Sequence, residues 1–348
     1  MSPRSKRYLF SGLRIAVCVG GIWYIARQLA GENIPSLLGQ MNGWLTLAAL
    51  AIFAPVLLLC GLRLMVLMAI QGIRLSAWEA IKITYAGGFL NFAMPGATGG
   101  DVYKAYCVAR CTDRKTEAVM AVFLDRVIGL SSLVCIGGIM SVIGWGLQLN
   151  IGWAARAIGA LLVIMIVGAG LFFSHRVRAL IRYEEILKRL PLAHQLQRID
   201  QAVFILRRQK RKVAIAAGLT LVLQSFAMVS LMFVAAALGM NLDSPVPYFV
   251  YFPLGMVIRS IPISIQGIGP MDGCYELFFV GGGLGTAAQT QVLALAVRLL
   301  DLLWAMPGVL VLLTGRELPP KDFADDESDS KPISDNELRP STVRTDHS

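Results

Sequence analysis

The chain has 348 residues, of which 56% are hydrophobic and 16% are charged, and its formal net charge is +10. A single soluble core cannot bury so many apolar residues, so the composition excludes a soluble globular domain and indicates an all-α polytopic membrane protein. The positive charge is not accompanied by a folded basic module, which argues against nucleic-acid binding.

Six apolar runs are long enough to cross a hydrocarbon core of roughly 30 Å. They are 8–29, 43–70, 117–146, 152–173, 212–239 and 286–314. Arg14 interrupts the first run and no A-x-A site follows it, so we expect a retained span rather than a cleaved signal peptide. We therefore predict about six transmembrane helices in a domain of residues 1–315, followed by a disordered cytoplasmic tail, 316–348.

Basic residues occur in every other connection between the predicted spans. The loop 174–212 carries eleven Lys or Arg residues against three acidic ones, whereas no Lys or Arg occurs in 30–42, 147–152, 240–247 or 281–290. By the positive-inside rule, we expect this basic loop and both termini on the cytoplasmic side of the cytoplasmic membrane. Apolar residues within the loop predict short amphipathic helices on the anionic inner leaflet.

The segment NFAMPGATGGDVYKAY, residues 91–106, breaks the apolar pattern between the second and third predicted spans. As helices, the flanks 83–94 and 101–111 would each be about 17 Å long, half the hydrocarbon thickness. Both flanks join cytoplasmic residues, so we predict a re-entrant hairpin with its tip at 95–100. Irregular backbone at that depth is tolerated only against protein or a water-filled cavity.

Residues 249–280 repeat this layout in the second half of the chain, with a break from Pro262 to Pro270. Here the hairpin is expected to enter from the external face. A span with an intramembrane arginine follows each break, Arg126 in the first half and Arg298 in the second. We predict an inverted-topology repeat of two opposed hairpins, a pattern that points to a transport site at the midplane. Helix packing by Gly and Pro alone is the alternative interpretation.

Residues at the breaks and charges in the spans are the predicted substrate-binding and translocation residues. They are Pro95, Gly99, Gly100, Asp101, Lys104, Arg126, Arg259, Pro262, Gly267, Gly269, Asp272, Glu276, Arg298 and Asp301. Arg126 and Arg298 lie deep enough to need a partner or an anionic ligand, and Asp301 is a same-face partner for Arg298. Asp101 and Asp272 are expected to cap helices, a role that Glu276 does not need. No cofactor or metal is expected, since no metal-ligand spacing occurs.

The segments MPGATGGDVYKAY, LDRVIGL and IPISIQGIGPMDGCYELF resemble the flippase-like integral membrane family named for the transmembrane region of lysylphosphatidylglycerol synthase. The resemblance covers about residues 10–315. It implies movement of lipids across the cytoplasmic membrane, including aminoacylated phosphatidylglycerol and polyisoprenyl-linked sugars. Some members carry a soluble aminoacyl-transferase domain after the membrane region, which is not expected here.

These observations favour a lipid translocase that is not an enzyme and whose partners are membrane lipids with anionic headgroups. A transporter of a small soluble anion would share the inverted repeat. A membrane-embedded glycosyl or aminoacyl transferase is the enzyme alternative, although the membrane body contains no D-x-D motif. A homo-oligomer and a partner lipid-modifying enzyme both stay open.

Overall fold

The computed structural model describes residues 39–92, 98–149, 151–173, 209–261, 264 and 266–314. All regular secondary structure in these ranges is helical, which confirms the predicted all-α class. The predicted first span 8–29, most of the basic loop, the tail, Pro95 and Pro262 lie outside these ranges.

The helices in the described ranges follow one another in a simple order. They are α1 (Gly43–Phe53), α2 (Pro55–Ile70), α3 (Ala77–Leu90), α4 (Gly99–Ala109), α5 (Lys115–Gly146), α6 (Gly152–Phe173), α7 (Lys210–Ala237), α8 (Val246–Ser260), α9 (Pro270–Tyr275), α10 (Ala287–Ala305) and α11 (Pro307–Thr314). A π-helical turn, Glu276–Val280, continues α9.

Four described stretches are long and apolar enough to cross a membrane, so the chain is a multi-pass membrane protein. They are Gly43–Ile70, Lys115–Gly146, Lys210–Ala237 and Ala287–Ala305. Each corresponds to a predicted span, and α6 covers the predicted span 152–173. The count of six spans stays a prediction, because the first lies outside the described residues.

Proline interrupts two of the predicted spans. Pro55 separates α1 from α2, and Pro307 separates α10 from α11. Proline lacks the N–H that a helix interior requires and its ring clashes with the preceding turn, so it begins a new helix in both places. The predicted span 286–314 is therefore divided between α10 and α11. The turned segment α11 packs closely on α3: a Cβ at Gly308 would lie 2.2 Å from the carbonyl oxygen of Tyr85.

Contacts between helix termini define two ends of the bundle. At the upper end, the Asn42 N–H donates to the carbonyl of Ala237, and the Asn241 N–H donates to the carbonyl of Leu284. At the lower end, Lys212 Nζ donates to the carbonyl of Ala69 over 3.3 Å. Helices α5 and α7 thus run from the lower to the upper end, and α2, α8 and α10 run downward.

Exposed tryptophans lie at both ends of the bundle. Trp44, Trp145 and Trp153 are largely exposed where α1 and α6 begin and α5 ends, at the upper end, and Trp78 is exposed near the lower end. Tryptophan is enriched where the hydrocarbon core meets the lipid headgroups. The positions of these four indoles are consistent with a bundle that spans a bilayer.

The helix pairs α3–α4 and α8–α9 coincide with the two predicted breaks. Within each pair the helices pack on each other. The first pair starts and finishes near the lower end, where Arg114 approaches Gly72. The second starts at Val246 and returns to Leu284, both near the upper end. In this second pair the ring of Tyr275 packs so closely on Gly255 that a Cβ there would lie 2.0 Å from a ring carbon.

Candidate functional site

A cavity of about 270 Å³ lies between the helices in the middle of the bundle. Its walls come from α1 to α5, α7, α8 and α10, so both broken segments contribute to it. Among the described residues, seven charged ones line it: Arg63, Asp101, Lys104, Asp125, Arg126, Arg259 and Asp301. Four of these residues are cations and three are carboxylates, so this lining carries a formal charge of +1.

The cavity is polar toward the lower end of the bundle and apolar toward the upper end. On α2, which runs downward, Leu57 comes before Arg63, and on α5, which runs upward, Arg126 comes before Leu130 and Leu133. The same order holds on α8 and α10, where the charged lining residue follows the apolar ones in the downward direction. The cavity is therefore amphipathic along the axis of the bundle.

Asp125 is held between two buried cations from different helices. Its carboxylate accepts a hydrogen bond from Arg63 Nε at 2.6 Å and lies 3.6 Å from Lys104 Nζ. Arg63 also donates to the hydroxyl of Thr220 on α7. A lone charge at this depth would cost several kcal/mol, and partners from α2, α4 and α5 offset that cost. The contacts thereby tie these helices together at one depth.

Arg126 joins the two broken segments. Its Nη1 donates to Asp101 at 2.6 Å, and its Nη2 donates to the carbonyl of Ser260, the last residue of α8, at 2.9 Å. Asp101 is the third residue of α4, and Thr98 holds the N-cap position. The expected cap at Asp101 is therefore wrong, because the carboxylate binds Arg126 and lies 3.8 Å from Lys104 instead.

The first break allows a very close approach of α3 and α4. The side chain of Asn91 accepts a hydrogen bond from the Gly100 N–H at 2.7 Å, which satisfies a donor at the start of α4. A Cβ at Gly100 would lie 2.2 Å from the carbonyl oxygen of Gly87. Only glycine fits this contact, since the neighbouring atom belongs to the backbone and cannot move aside. The preceding Gly99 is also buried.

Arg259 forms the wall of the cavity at the second break. Its Nη1 binds Asp301 of α10 at 2.5 Å, and its Nη2 binds the side-chain oxygen of Gln266. Gly267 has a positive φ of 72°, and a Cβ there would lie 2.9 Å from Arg259 Cα. The left-handed backbone lets the break fold back against the end of α8.

Arg298 binds Asp272 rather than Asp301. The Arg298 Nη2 atom lies 2.7 Å from the Asp272 carboxylate, whose other oxygen accepts from the Gly269 N–H at 2.9 Å. The predicted capping bond at Asp272 is therefore present, although Gly269 and not Asp272 holds the N-cap position, and the same carboxylate also neutralises an arginine. Asp301 is taken by Arg259 from another helix, so its expected pairing with Arg298 on the same helix face is wrong.

Eleven of the fourteen predicted site residues fall into three groups; Gly99 is buried at the start of α4, and Pro95 and Pro262 lie outside the described residues. Gly100, Asp101, Lys104, Arg126, Arg259 and Asp301 lie at the cavity or at the contact that shapes its wall. Gly267, Gly269, Asp272 and Arg298 lie at the second break, beyond Arg259. Glu276 is exposed in the π-helical turn and does not line the cavity.

Sequence reasoning did not include four polar residues that the structure places at these contacts. Arg63 and Asp125 form a buried pair in the lining of the cavity, Asn91 caps α4, and Gln266 binds Arg259. The sequence did indicate Arg63, because it is an arginine within an apolar span, and Arg126 was predicted by that same criterion. Gln266 and Asn91 are uncharged and carry no comparable signal.

Two comparisons with known proteins bear on this arrangement. A family profile described as "Lysylphosphatidylglycerol synthase TM region" matches residues 12–308. The matched region takes in helices α1 to α10 and both breaks. A search of curated proteins gave no match.

Proposed function

The chain belongs to the family of the lysylphosphatidylglycerol synthase TM region, and from this premise we propose that it is a lipid translocase of the cytoplasmic membrane. Its substrate is an anionic or aminoacylated phospholipid, or a lipid linked to a polyisoprenyl phosphate. The protein moves this lipid between leaflets without making or breaking a covalent bond.

The observation that carries this proposal is the amphipathic cavity. Its charged part suits a phosphate headgroup, and the apolar side chains beyond it suit the start of the acyl chains. A soluble anion would not bind in the apolar part, because there it would lose its hydration without gaining a hydrogen-bond partner. The function therefore requires both parts of one cavity.

Two opposed re-entrant hairpins account for where the cavity lies. In this proposal α3–α4 enters from the lower end and α8–α9 from the upper end, as an inverted-topology repeat. The positive-inside rule makes the lower end cytoplasmic, because the basic segment that leads into α7 joins the bundle there. The headgroup part of the cavity then faces the cytoplasmic side, which suits a lipid taken from the inner leaflet.

The phosphate binds between Arg126 and Arg259. Ser260, next to Arg259, accepts a hydrogen bond from Arg126, so the two guanidinium groups share one wall of the cavity. Their carboxylate partners Asp101 and Asp301 are partly exposed, with side-chain exposures of 24% and 27%. A phosphodiester displaces these carboxylates, and its single negative charge neutralises the +1 lining.

Lipid exchange in proteoliposomes tests the proposal. Liposomes of phosphatidylcholine with fluorescent phosphatidylglycerol report movement of an anionic headgroup, and fluorescent phosphatidylcholine is the zwitterionic comparison. We expect Arg126→Gln and Arg259→Gln each to slow phosphatidylglycerol exchange at least about tenfold, because each removes a charge-assisted hydrogen bond. Lys at either position should rescue partly, since it supplies charge without the planar fork.

Arg156→Gln is the matched control. Arg156 lies on α6, over the ring of Trp153, and does not line the cavity. Its loss should leave exchange unchanged. Equal exchange by the wild type, Arg126→Gln and Arg259→Gln would refute the lipid role of the cavity, and uptake of soluble phosphate without lipid exchange would favour a soluble-anion transporter.

A further inference from the structure

Four buried hydrogen-bond donors lie at the second break, and only one of them, on Arg259, belongs to a residue of the proposed headgroup site. Within the described part of the chain, these atoms have no hydrogen-bond partner: Arg259 Nε, Gln266 Nε2, Tyr275 Oη and Arg298 Nη1. Their residues are 7%, 1%, 0% and 2% exposed, so water from the bulk does not reach them freely. Buried donors are nearly always satisfied in native proteins, and four unsatisfied ones in one place indicate a missing partner.

Hydrogen bonds and packing bring these four groups together. Gln266 binds Arg259 through its side-chain oxygen, and its carbonyl accepts from Arg298 Nε at 3.4 Å. The ring of Tyr275 packs on Gly255, one helical turn before Arg259 on α8. Tyr275 follows Asp272, the partner of Arg298, by three residues on α9, so the two side chains lie on the same face of that helix. The donors therefore converge from α8, α9, α10 and the break between α8 and α9.

The chemistry of the four donors indicates which kind of ligand they can bind. Guanidinium and amide N–H groups can only donate, and the tyrosine hydroxyl donates when its neighbours are donors. A water molecule accepts at most two hydrogen bonds and needs acceptors of its own, whereas an anionic oxygen accepts from several donors at once. The nearby carboxylates Asp272 and Asp301 already bind other nitrogens of the two arginines. A phosphate oxygen fits the remaining donors.

We propose that these four donors form a second binding station for the lipid phosphodiester on its way outward, an inference that rests on the proposed lipid translocation. Arg259 is the only one of the four residues that lines the cavity, so it stands between the two stations. On α10, Asp301 lines the cavity, whereas Arg298 lies three residues nearer the upper end and does not. In this conformation the second station is closed, and the phosphate reaches it when Arg259 releases Asp301.

Tyr275→Phe tests the second station without disturbing the first. The substitution removes one hydroxyl that has no partner in the described residues and keeps the ring that packs on Gly255. If the hydroxyl serves no ligand, its loss is neutral or stabilising and exchange is unchanged. If it binds the phosphate during passage, phosphatidylglycerol exchange slows about tenfold while the melting temperature of the ligand-free protein does not fall.

Thr84→Val is the matched control, because it also removes a buried hydroxyl without a partner in the described residues. Thr84 lies on α3 and does not line the cavity. We expect its exchange rate to equal that of the wild type. A second measurement follows the melting temperature of the purified full chain with added phosphatidylglycerol micelles. The first station is intact in Tyr275→Phe, so the lipid should still raise its melting temperature.

The outcomes separate this inference from the proposed function. Slow exchange in Tyr275→Phe with normal exchange in Thr84→Val supports the second station. Wild-type exchange in Tyr275→Phe overturns it and leaves the lipid function standing if Arg126→Gln is slow. Melting temperatures with inorganic phosphate alone distinguish a lipid site from a free-anion site. If phosphate raised the melting temperature of the wild type but not of Tyr275→Phe, and the wild type exchanged no lipid, the lipid assignment would be overturned in favour of a free-anion site.

Discussion

The partner of Arg298 can be tested by removing it. Arg298 is 2% exposed and bound to Asp272 at 2.7 Å, so Asp272→Asn leaves a buried guanidinium without its carboxylate. Breaking a buried pair in this way costs about 3 kcal/mol of unfolding free energy. Arg298→Gln should cost less, about 2 kcal/mol, because the Asp272 side chain is 21% exposed and keeps its bond to the Gly269 N–H.

A double-mutant cycle shows which carboxylate is the partner of Arg298. The free energy of unfolding of each variant is measured in mixed micelles. The coupling between Arg298→Gln and Asp272→Asn should be about 2 kcal/mol, since the double variant leaves no unpaired charge of that pair. Coupling between Arg298→Gln and Asp301→Asn should be only roughly 0.5 kcal/mol, because Asp301 binds Arg259. A larger coupling to Asp301 than to Asp272 would refute the pairing described above.

The contact between α3 and α4 and the orientation of the bundle give further expectations. Gly100→Ala should abolish lipid exchange and lower the melting temperature while membrane insertion stays normal, because its Cβ would lie 2.2 Å from the Gly87 carbonyl oxygen. Gly87→Ala should do less harm, with its Cβ 3.0 Å from the Gly100 oxygen, and equal losses would contradict this explanation. In a cysteine-free variant, a membrane-impermeant thiol reagent should label Asp113→Cys only from the cytoplasm and Ser244→Cys only from outside. Labelling of Ser244→Cys from the cytoplasm would rule out the opposed hairpins.

Much of the helical architecture follows from the sequence by length and hydropathy. The span 117–146 was predicted within two residues of α5, and the first break was expected between helices at 83–94 and 101–111. The observed boundaries of that break differ by a few residues, since α4 begins at Gly99 with Thr98 as its N-cap, and not at Asp101. Pro307 was available to indicate a break in the last span, but hydropathy alone joined α10 to α11.

Pairing of charges was harder to predict than their depth. Depth depends on position within a span, and it correctly indicated that Arg126 and Arg298 need partners. The nearest carboxylate along the helix, Asp301, was the wrong partner for Arg298, because the second break folds Asp272 against it. Such contacts depend on how a break folds, and its left-handed residues Gln266 and Gly267 carry no periodic signal that a sequence can show.

The buried ion pairs also constrain how the protein is made. Helix α4 has only eleven residues and carries Asp101 and Lys104, each of which costs about 3 kcal/mol to place alone at the centre of a bilayer. Its partners Asp125 and Arg126 belong to α5, which the ribosome delivers later. In the proposed topology, Asp101 and Lys104 lie 3.8 Å from each other but depend on α5 for their other partners, so we expect α4 to enter the bilayer stably only together with α5.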